Sequence, residues 1–238
     1  MVKKLLLPAV FFIIILIGLV VFAFQGEGAK SPNKQVKTPH FTDSTPLDGE
    51  IYAAQPVNIT INFNFDLARD SKILVTSKDG DEWTEGEVLI EDNNTALKRN
   101  LKQGMSGGDY LVKYTACFTD KSCQNGQFSF KIDSARKTEY QDFRGQSEVT
   151  LKMKNIKFAP GKIIISPGTT VIWENGDEVG HFVNTETHPE HTYYTIQNSK
   201  ELLKTQTFSA TFQTPGQYNY HCSAHVPEGM IGIILVTN

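Results

Sequence analysis

Apolar and polar residues alternate in a series of short segments along the chain, with the two-residue period of a β-strand. The clearest alternation covers residues 57–65, and it predicts a half-buried strand there. Similar short segments follow at 72–76, 87–90, 110–114, 127–132, 149–152, 162–166, 170–173, 208–212, 217–222 and 231–236. Because these strands are short, regularly spaced and interrupted by turn-forming residues, the pattern predicts an all-β protein of the antiparallel sandwich type.

The exception is the intensely apolar segment 5–24, which has no charged residue and follows Lys3 and Lys4. At about 1.5 Å per residue, a helix of this length spans a hydrocarbon core of about 30 Å. The lysines are expected to stay in the cytoplasm, so the rest of the chain would be exported. We interpret residues 1–25 as a transmembrane anchor. A cleaved signal sequence is the alternative, although its apolar region usually has only about 7–15 residues.

Two polar stretches divide the remaining chain. Residues 26–39 are rich in Gly, Lys, Ser, Pro and Gln, which predicts a tether. Residues 134–147 are polar and show no periodicity, which predicts a linker. The two strand-rich segments, 40–133 and 148–238, are therefore predicted to be separate domains.

A long segment interrupts the strands of the second domain. Residues 184–206 lack the strand period and include a possible short helix at 199–204. A loop of this length in a compact β domain usually has a function or covers a site.

Composition and charge exclude several classes of protein. The chain has 23 Lys and Arg against 26 Asp and Glu, which argues against a nucleic-acid-binding protein. A hydrophobic content of 39% argues against wholesale disorder. The mean hydropathy of −0.28, despite the apolar N-terminal segment, excludes a polytopic membrane protein. Three cysteines are too few for a disulfide-built scaffold.

The candidate chemistry lies near the C-terminus, where Cys222, His225 and Met230 form a Cys-x2-His-x4-Met pattern downstream of His181. One thiolate, two imidazoles and a distant thioether are the donors of a trigonal copper site with a weak axial methionine. Zinc also accepts Cys and His, but Met is a poor zinc ligand. Taken singly, the cysteine could be a buried structural thiol, the methionine part of the core and the histidines surface residues. Their combination favours copper.

Residues 149–238 resemble plastocyanin-type cupredoxins of the halocyanin and amicyanin group. The resemblance depends on Phe-Ala-Pro at 158–160, Pro-Gly-Thr-Thr-Val-x-Trp-x-Asn at 167–175, and the histidine and Cys-His-Met loop described above. It implies a Greek-key β-barrel that holds one type 1 (blue) copper ion. The implied copper ligands are His181, Cys222, His225 and Met230, with Tyr218 as a structural residue.

Two positions depart from this family pattern. Phe182 stands where many plastocyanins have an asparagine that braces the cysteine loop, so that brace must come from elsewhere or be missing. His221 stands where an exposed tyrosine often precedes the cysteine. Strand alternation predicts that His221 points outward, as a docking residue or, as the sequence slightly favours, an incidental surface histidine.

The long loop also contains histidines, within a Glu-x-His-x-Glu-His pattern formed by Glu186, His188, Glu190 and His191. This pattern is compatible with a weak second metal site or with a pH-sensitive lid. The sequence alone favours a third interpretation, a solvated polar loop.

Residues 40–132 resemble the CopC-like, immunoglobulin-like sandwich. The resemblance depends on Ser-Thr-Pro-x-x-Gly at 44–49, Gly-x-Tyr-x-Val at 108–112 and Gly-x-Phe-x-Phe at 126–130. CopC proteins bind Cu(II) through an N-terminal histidine and an Asp-Gly-His motif. Here Asp120 aligns with the aspartate, but Ser122 replaces the histidine, and His40 follows a tether and offers no free α-amine. We therefore expect no CopC-type copper site.

Cys117 and Cys123 are close in sequence and, in an exported protein, are expected to form a disulfide. The alternative is two free thiols. The disulfide would leave Cys222 unpaired, as a copper thiolate requires.

These inferences predict a membrane-tethered blue copper protein that carries single electrons between redox protein partners at the periplasmic or extracellular face. Its closed four-ligand site would leave no position for a small-molecule substrate, so we expect no enzyme. A nitrite reductase or multicopper oxidase would need additional His-x-His ligands, which the sequence lacks. The alternative function is copper homeostasis or delivery, which the CopC-like neighbour suggests.

Overall fold

Extended strands make up most of the regular structure in the computed structural model, which describes residues 40–91 and 94–238. The predicted anchor (1–25) and tether (26–39) lie outside the described residues. Within the described part of the chain, no helix combines the length and the apolar character needed to cross a membrane. The helices found there are short 3₁₀ turns, and the predicted all-β class is confirmed.

The first domain consists of two four-stranded sheets. Its strands are β1 (Phe41–Thr45), β2 (Glu50–Tyr52), β3 (Asn58–Phe63), β4 (Lys72–Ser77), β5 (Thr84–Glu91), β6 (Ala96–Leu101), β7 (Gly108–Cys117) and β8 (Cys123–Ile132). One sheet has the order β1-β3-β6-β5 and the other β2-β8-β7-β4. Aliphatic and aromatic side chains from both sheets, including Ile61, Val112 and Phe130, form one buried core.

A disulfide closes the β7–β8 hairpin of this domain. The antiparallel register places Cys117 directly opposite Cys123, and the two sulfur atoms are bonded. The predicted pairing is therefore confirmed. Cys222 is a buried, free cysteine.

The second domain also consists of two sheets. Its strands are β9 (Gln141–Asp142), β10 (Glu148–Met153), β11 (Phe158–Ala159), β12 (Lys162–Ile165), β13 (Thr169–Asn175), β14 (Asn184–Thr185), β15 (Thr207–Phe212), β16 (Gly216–His221) and β17 (Ile231–Val236). The sheet orders are β11-β10-β13-β15 and β14-β16-β17-β12-β9. Among the described residues these sheets remain separate, so the predicted barrel is here a two-sheet sandwich.

The core of this sandwich contains Trp173, Tyr218 and Tyr220 together with Cys222 and Met230. The Tyr218 hydroxyl donates a hydrogen bond to the Thr214 carbonyl (2.7 Å), which supports a structural role for this tyrosine. Because Cys222 and Met230 belong to the same apolar cluster, the predicted sulfur ligands lie at the end of the core and not on the surface.

The prediction of a short helix at 199–204 is wrong. Leu202 is held in an extended conformation because its backbone pairs with that of His181, with N···O distances of 2.8 and 3.0 Å. The helical turn of the long loop instead covers Thr195–Gln197. This pairing, which is remote in sequence, overrides the local helical pattern.

The segment 134–147, predicted as a linker, also contains regular structure. It begins with the 3₁₀ helix Ser134–Glu139 and continues into β9, which pairs with β12 of the second domain. Part of this segment is therefore a sheet edge of the second domain.

Strand β3 lies at the interface between the two domains, which belong to one compact unit. The strand was predicted to be half-buried, yet all six of its residues are buried. Its polar face contacts the long loop 184–206 of the second domain. Asn58 donates from Nδ2 to the Tyr193 carbonyl (3.1 Å), and Asn62 hydrogen-bonds to two threonines of the same loop. The sequence could not show this burial, because the covering loop is remote in the chain.

Tyr193 is the central side chain of this interface and is fully buried. Its hydroxyl accepts a hydrogen bond from the Val57 N–H (2.7 Å) and donates one to the Gln217 carbonyl (2.9 Å). Burial raises the pKa of Tyr193 well above its usual value, so the hydroxyl stays protonated and can donate. Gln217 in turn accepts at Oε1 from the Ala53 N–H (2.7 Å). Polar contacts thus join the domains in a buried setting.

We expect Tyr193→Phe to lower the free energy of unfolding by about 1–3 kcal/mol, because the partly buried Val57 N–H and the buried Gln217 carbonyl lose their partner. Urea denaturation measures this change. Tyr194→Phe is the matched control, because its hydroxyl reaches only the Thr211 carbonyl at 3.5 Å, and it should change stability by less than about 0.5 kcal/mol. Equal effects of the two substitutions would contradict the assigned role of Tyr193.

Candidate metal centre

Three of the four predicted ligands come together at one end of the second domain. Cys222 follows β16 directly, His225 ends the 3₁₀ helix Ser223–His225, and His181 is held by its pairing with Leu202. The Nδ1 atoms of His181 and His225 are 3.2 Å apart. The Cys222 Sγ lies 3.7 Å from the first of these nitrogens and 3.3 Å from the second. One thiol and two imidazoles therefore converge on a common point.

Met230 lies beside this group and is fully buried. The Cys222 N–H donates to the Met230 carbonyl (2.9 Å), and the Met230 N–H donates to the His225 carbonyl (3.2 Å). Backbone hydrogen bonds thus close the loop between β16 and β17. The loop therefore places Met230 next to Cys222.

The three converging side chains differ in exposure. Cys222 and His181 are completely buried, whereas His225 is partly exposed. The residues that follow His225 are exposed as far as Gly229. The imidazole of His225 is consequently the edge of the site nearest to solvent.

Asp177 orients the imidazole of His181. Its Oδ2 lies 2.9 Å from the His181 Nε2, which leaves Nδ1 to face the cysteine. The backbone N–H groups of Asn155 and Ile156 also donate to this carboxylate (2.8 and 3.0 Å). Burial would by itself raise the pKa of Asp177, but these hydrogen bonds and His181 outweigh it, and the pKa lies below its usual value. An ionised carboxylate behind a metal-facing histidine fixes both ring orientation and tautomer.

Asp177 is not among the functional residues that the sequence indicated. Asn175 holds the turn that contains Asp177, because its Nδ2 donates to the carbonyls of Val179 and Leu202 (both 2.8 Å) and its Oδ1 accepts from the Asp177 N–H. A carboxylate four residues before a candidate ligand was the available signal. Whether that carboxylate faces the His181 ring depends on the geometry of this turn, which the spacing of the two residues in the sequence does not give.

The structure also contains the brace of the cysteine loop that was in question at Phe182. Asn184, two residues further on, donates from Nδ2 to the Ser223 Oγ (2.7 Å). Phe182 contributes through its backbone, since its N–H points at the Cys222 Sγ at 3.2 Å. This hydrogen bond fixes the position of the sulfur relative to the segment that carries His181.

The strand alternation predicted that His221 lies at the surface. In the structure it is buried, with only 2% of its surface exposed. The long loop covers it, and the His191 Nε2 lies 3.2 Å from the His221 Nε2. The interpretations of His221 as a docking residue and as an incidental surface residue are therefore both wrong.

The residues compared with a CopC copper site lie elsewhere. Asp120 and Ser122 occupy the β7–β8 turn, where the Asp120 Oδ1 accepts from both the N–H and the hydroxyl of Ser122 (2.9 and 2.6 Å). In the part of the chain that the structure describes, the groups of three or more potential metal donors lie in the second domain.

Comparison with known protein families identifies both domains. Residues 41–133 match the CopC domain, and residues 145–237 match the copper binding proteins of the plastocyanin/azurin family. Both resemblances found in the sequence are thereby confirmed, and so is copper as the cofactor of these families.

Individual relatives match the second domain. Halocyanin of Natronomonas pharaonis is 32% identical over 100 residues, which are 40% of this chain and 60% of that protein. Amicyanin-alpha of Methylorubrum extorquens is 31% identical over 84 residues, or 34% and 65% of the two chains. Plastocyanin of Scenedesmus fuscus is 31% identical over 90 residues, which are 33% of this chain and 85% of that protein. The chain thus spans less than two thirds of the first two relatives.

Solved structures resemble each domain separately. CopC from Methylosinus trichosporium OB3b is 20% identical, with 40% of this chain and 94% of that chain covered and a TM-score of 0.36. A mutant of amicyanin in the Cu(I) form is 23% identical, with 38% and 83% covered and a TM-score of 0.33.

The Asn184–Ser223 hydrogen bond is expected to stabilise the copper-free protein by about 0.5–1.5 kcal/mol. A double-mutant cycle with Asn184→Ala, Ser223→Ala and the combined variant measures this coupling by urea denaturation. If the two single effects simply add, the asparagine does not brace the cysteine loop.

Proposed function

Because the chain belongs to the plastocyanin/azurin family of copper-binding proteins through residues 145–237, we propose that it carries single electrons on one type 1 copper ion. The ion would be held by His181, Cys222, His225 and Met230. The observation that carries this proposal is the convergence of two imidazole Nδ1 atoms and one thiol sulfur within 3.2–3.7 Å of one another.

The donor chemistry fits copper in both of its common oxidation states. The sulfur atoms of Cys222 and Met230 are soft ligands that suit Cu(I), and imidazole nitrogens suit Cu(II). When bound, copper supplies reversible one-electron chemistry. Because backbone pairing and hydrogen bonds from neighbouring residues hold these side chains, we expect a change of oxidation state to require little rearrangement of the protein.

The residues behind the ligands maintain this arrangement. Asp177 keeps the Nε2 side of His181 occupied, and the Phe182 N–H donates a hydrogen bond to the Cys222 sulfur. Electrons would enter and leave through His225, because it is the least buried of the three converging side chains. With four protein ligands the metal has no open position for a substrate, so we propose a carrier and not an enzyme.

Location and partners are part of the same proposal. The uncharged segment 5–24 would anchor the chain in the membrane, with both domains on the periplasmic or extracellular side. The Cys117–Cys123 disulfide supports an oxidising compartment. The partners would be redox proteins at that membrane surface, which reach the exposed edge of His225.

A second candidate function is copper homeostasis or delivery outside the cytoplasm. The observation that favours it is the CopC domain at residues 41–133, joined to the cupredoxin domain within one unit. The two functions differ in what leaves the protein. A carrier releases an electron and keeps its copper, whereas a delivery protein releases the metal.

We expect Cys222→Ser to abolish the intense visible absorption band of the oxidised, copper-loaded full chain, because that band requires a thiolate bonded to copper. Met230→Leu is the matched control. It removes the distant sulfur and keeps the thiolate, so the band should persist. A parent protein that stays colourless with copper, or a serine variant that is equally coloured, would overturn the ligand assignment.

Electron self-exchange between the reduced and oxidised protein separates the two functions. Nuclear magnetic resonance of mixtures of the two states measures the exchange, and dialysis against a Cu(I) chelator measures retention of the metal. We expect fast exchange with the copper retained. Slow exchange together with rapid loss of copper would favour delivery.

A further inference from the structure

A second group of metal-binding side chains lies next to the proposed copper site. His188 and His191 of the long loop and His221 of β16 each place a ring nitrogen within 4.8 Å of the others. Their ring centroids are 5.1–5.5 Å apart. His221 immediately precedes Cys222, so the two groups are neighbours in the chain.

The nitrogen atoms of this group have the spacing of metal ligands. The Nε2 atoms of His191 and His221 are 3.2 Å apart, which is the same distance that separates the Nδ1 atoms of His181 and His225. Two nitrogens bonded at about 2.0–2.1 Å to one tetrahedral ion are about 3.4 Å apart. The distance thus suits two imidazoles that share an ion.

The second ring nitrogen of His221 faces a carboxylate. Its Nδ1 lies 3.5 Å from the Glu186 Oε1, and this contact favours the tautomer with the proton on Nδ1. The lone pair of Nε2 then faces His191. A carboxylate behind a histidine in this way is the usual outer support of a metal-ligating imidazole.

The three histidines of the group differ in exposure. His221 is buried and His191 is partly buried, so the histidine–histidine contact lies largely away from bulk water. His188 is exposed and opens the group to solvent.

The first domain holds the loop that carries two of these histidines. The Asn62 Nδ2 donates to the Thr187 Oγ1 (2.7 Å), and the Thr192 Oγ1 donates to the Asn62 Oδ1 (3.0 Å). One asparagine of β3 thus fixes the residues on either side of the segment 188–191. The Asn198 Nδ2 also donates to the His191 carbonyl (2.9 Å). The group is consequently supported from both domains.

The geometry points to a second metal site, in which His188, His191 and His221 bind one divalent transition-metal ion, separate from the ion at Cys222. Imidazole ligands suit zinc, copper, iron and nickel, and Cu²⁺ binds most tightly among the divalent ions of this series. Water completes the coordination on the exposed side. The site uses no donor of the first one, so it does not depend on the proposed electron transfer.

The competing explanation is a hydrogen-bonded group without a metal, in which the His191 Nε2 contacts both the His221 Nε2 (3.2 Å) and the Ser223 Oγ (3.0 Å). A copper titration of the full chain, purified in detergent and freed of metal, distinguishes the two. Bound copper per chain is measured after gel filtration, and electron paramagnetic resonance separates thiolate-bound from nitrogen-bound Cu²⁺. We expect two copper ions per chain, of which one has no intense visible band.

Variants locate the second ion. The double variant His188→Gln/His191→Gln should bind one copper and keep the visible band, which also reports that the domain is folded. His40→Gln, which changes the one histidine outside both groups, is the matched control and should still bind two. Cys222→Ser should bind one copper of the nitrogen type, so failure of the first site does not conceal the second.

Two further variants keep the proposal testable if the double variant does not fold. His188→Gln alone alters an exposed side chain and should weaken the binding of the second ion at least tenfold. Asn62→Ala removes the support of the loop without removing a ligand. It should weaken the binding of the second ion about 10- to 100-fold and leave the visible band unchanged. One copper per chain in the parent, or a second ion that survives loss of His188 and His191, would overturn the proposal.

Discussion

The pairing of His181 with Leu202 is the contact on which the candidate copper site depends. Two backbone hydrogen bonds hold the segment before β14 against the end of the long loop, and Asp177 then turns the His181 ring toward the cysteine. The other donors come from one short loop after β16. A site made from two remote segments forms only when the second domain is folded.

The sequence predicted much of this arrangement, because its strongest signals are local. Strand alternation located most strands, and the Cys-x2-His-x4-Met spacing lies within one loop. Contacts between distant segments were not predictable in the same way. Asn184 supplies the brace that many plastocyanins have at the position of Phe182, and Leu202 is extended where a helix was predicted. In both cases the partner is far away in sequence.

The long loop accounts for the remaining differences. It buries the polar face of β3 and covers His221, although the alternation in both strands predicted exposure to solvent. A loop that contacts both domains couples them, and Tyr193 at its centre bonds to each. The same contacts gather His188 and His191 beside His221. The loop is therefore both a structural connection and a carrier of potential ligands.

The central claim is that contacts within the fold, above all the His181–Leu202 pairing and the Asp177–His181 contact, place the donors of the copper site. Crystal structures of the copper-free and the copper-loaded protein test it most directly. We predict that the Cys222 Sγ and the Nδ1 atoms of His181 and His225 differ in position by less than about 0.5 Å between the two forms. A copper-free structure in which these donors point apart, or a copper ion bound away from Cys222, would contradict the account.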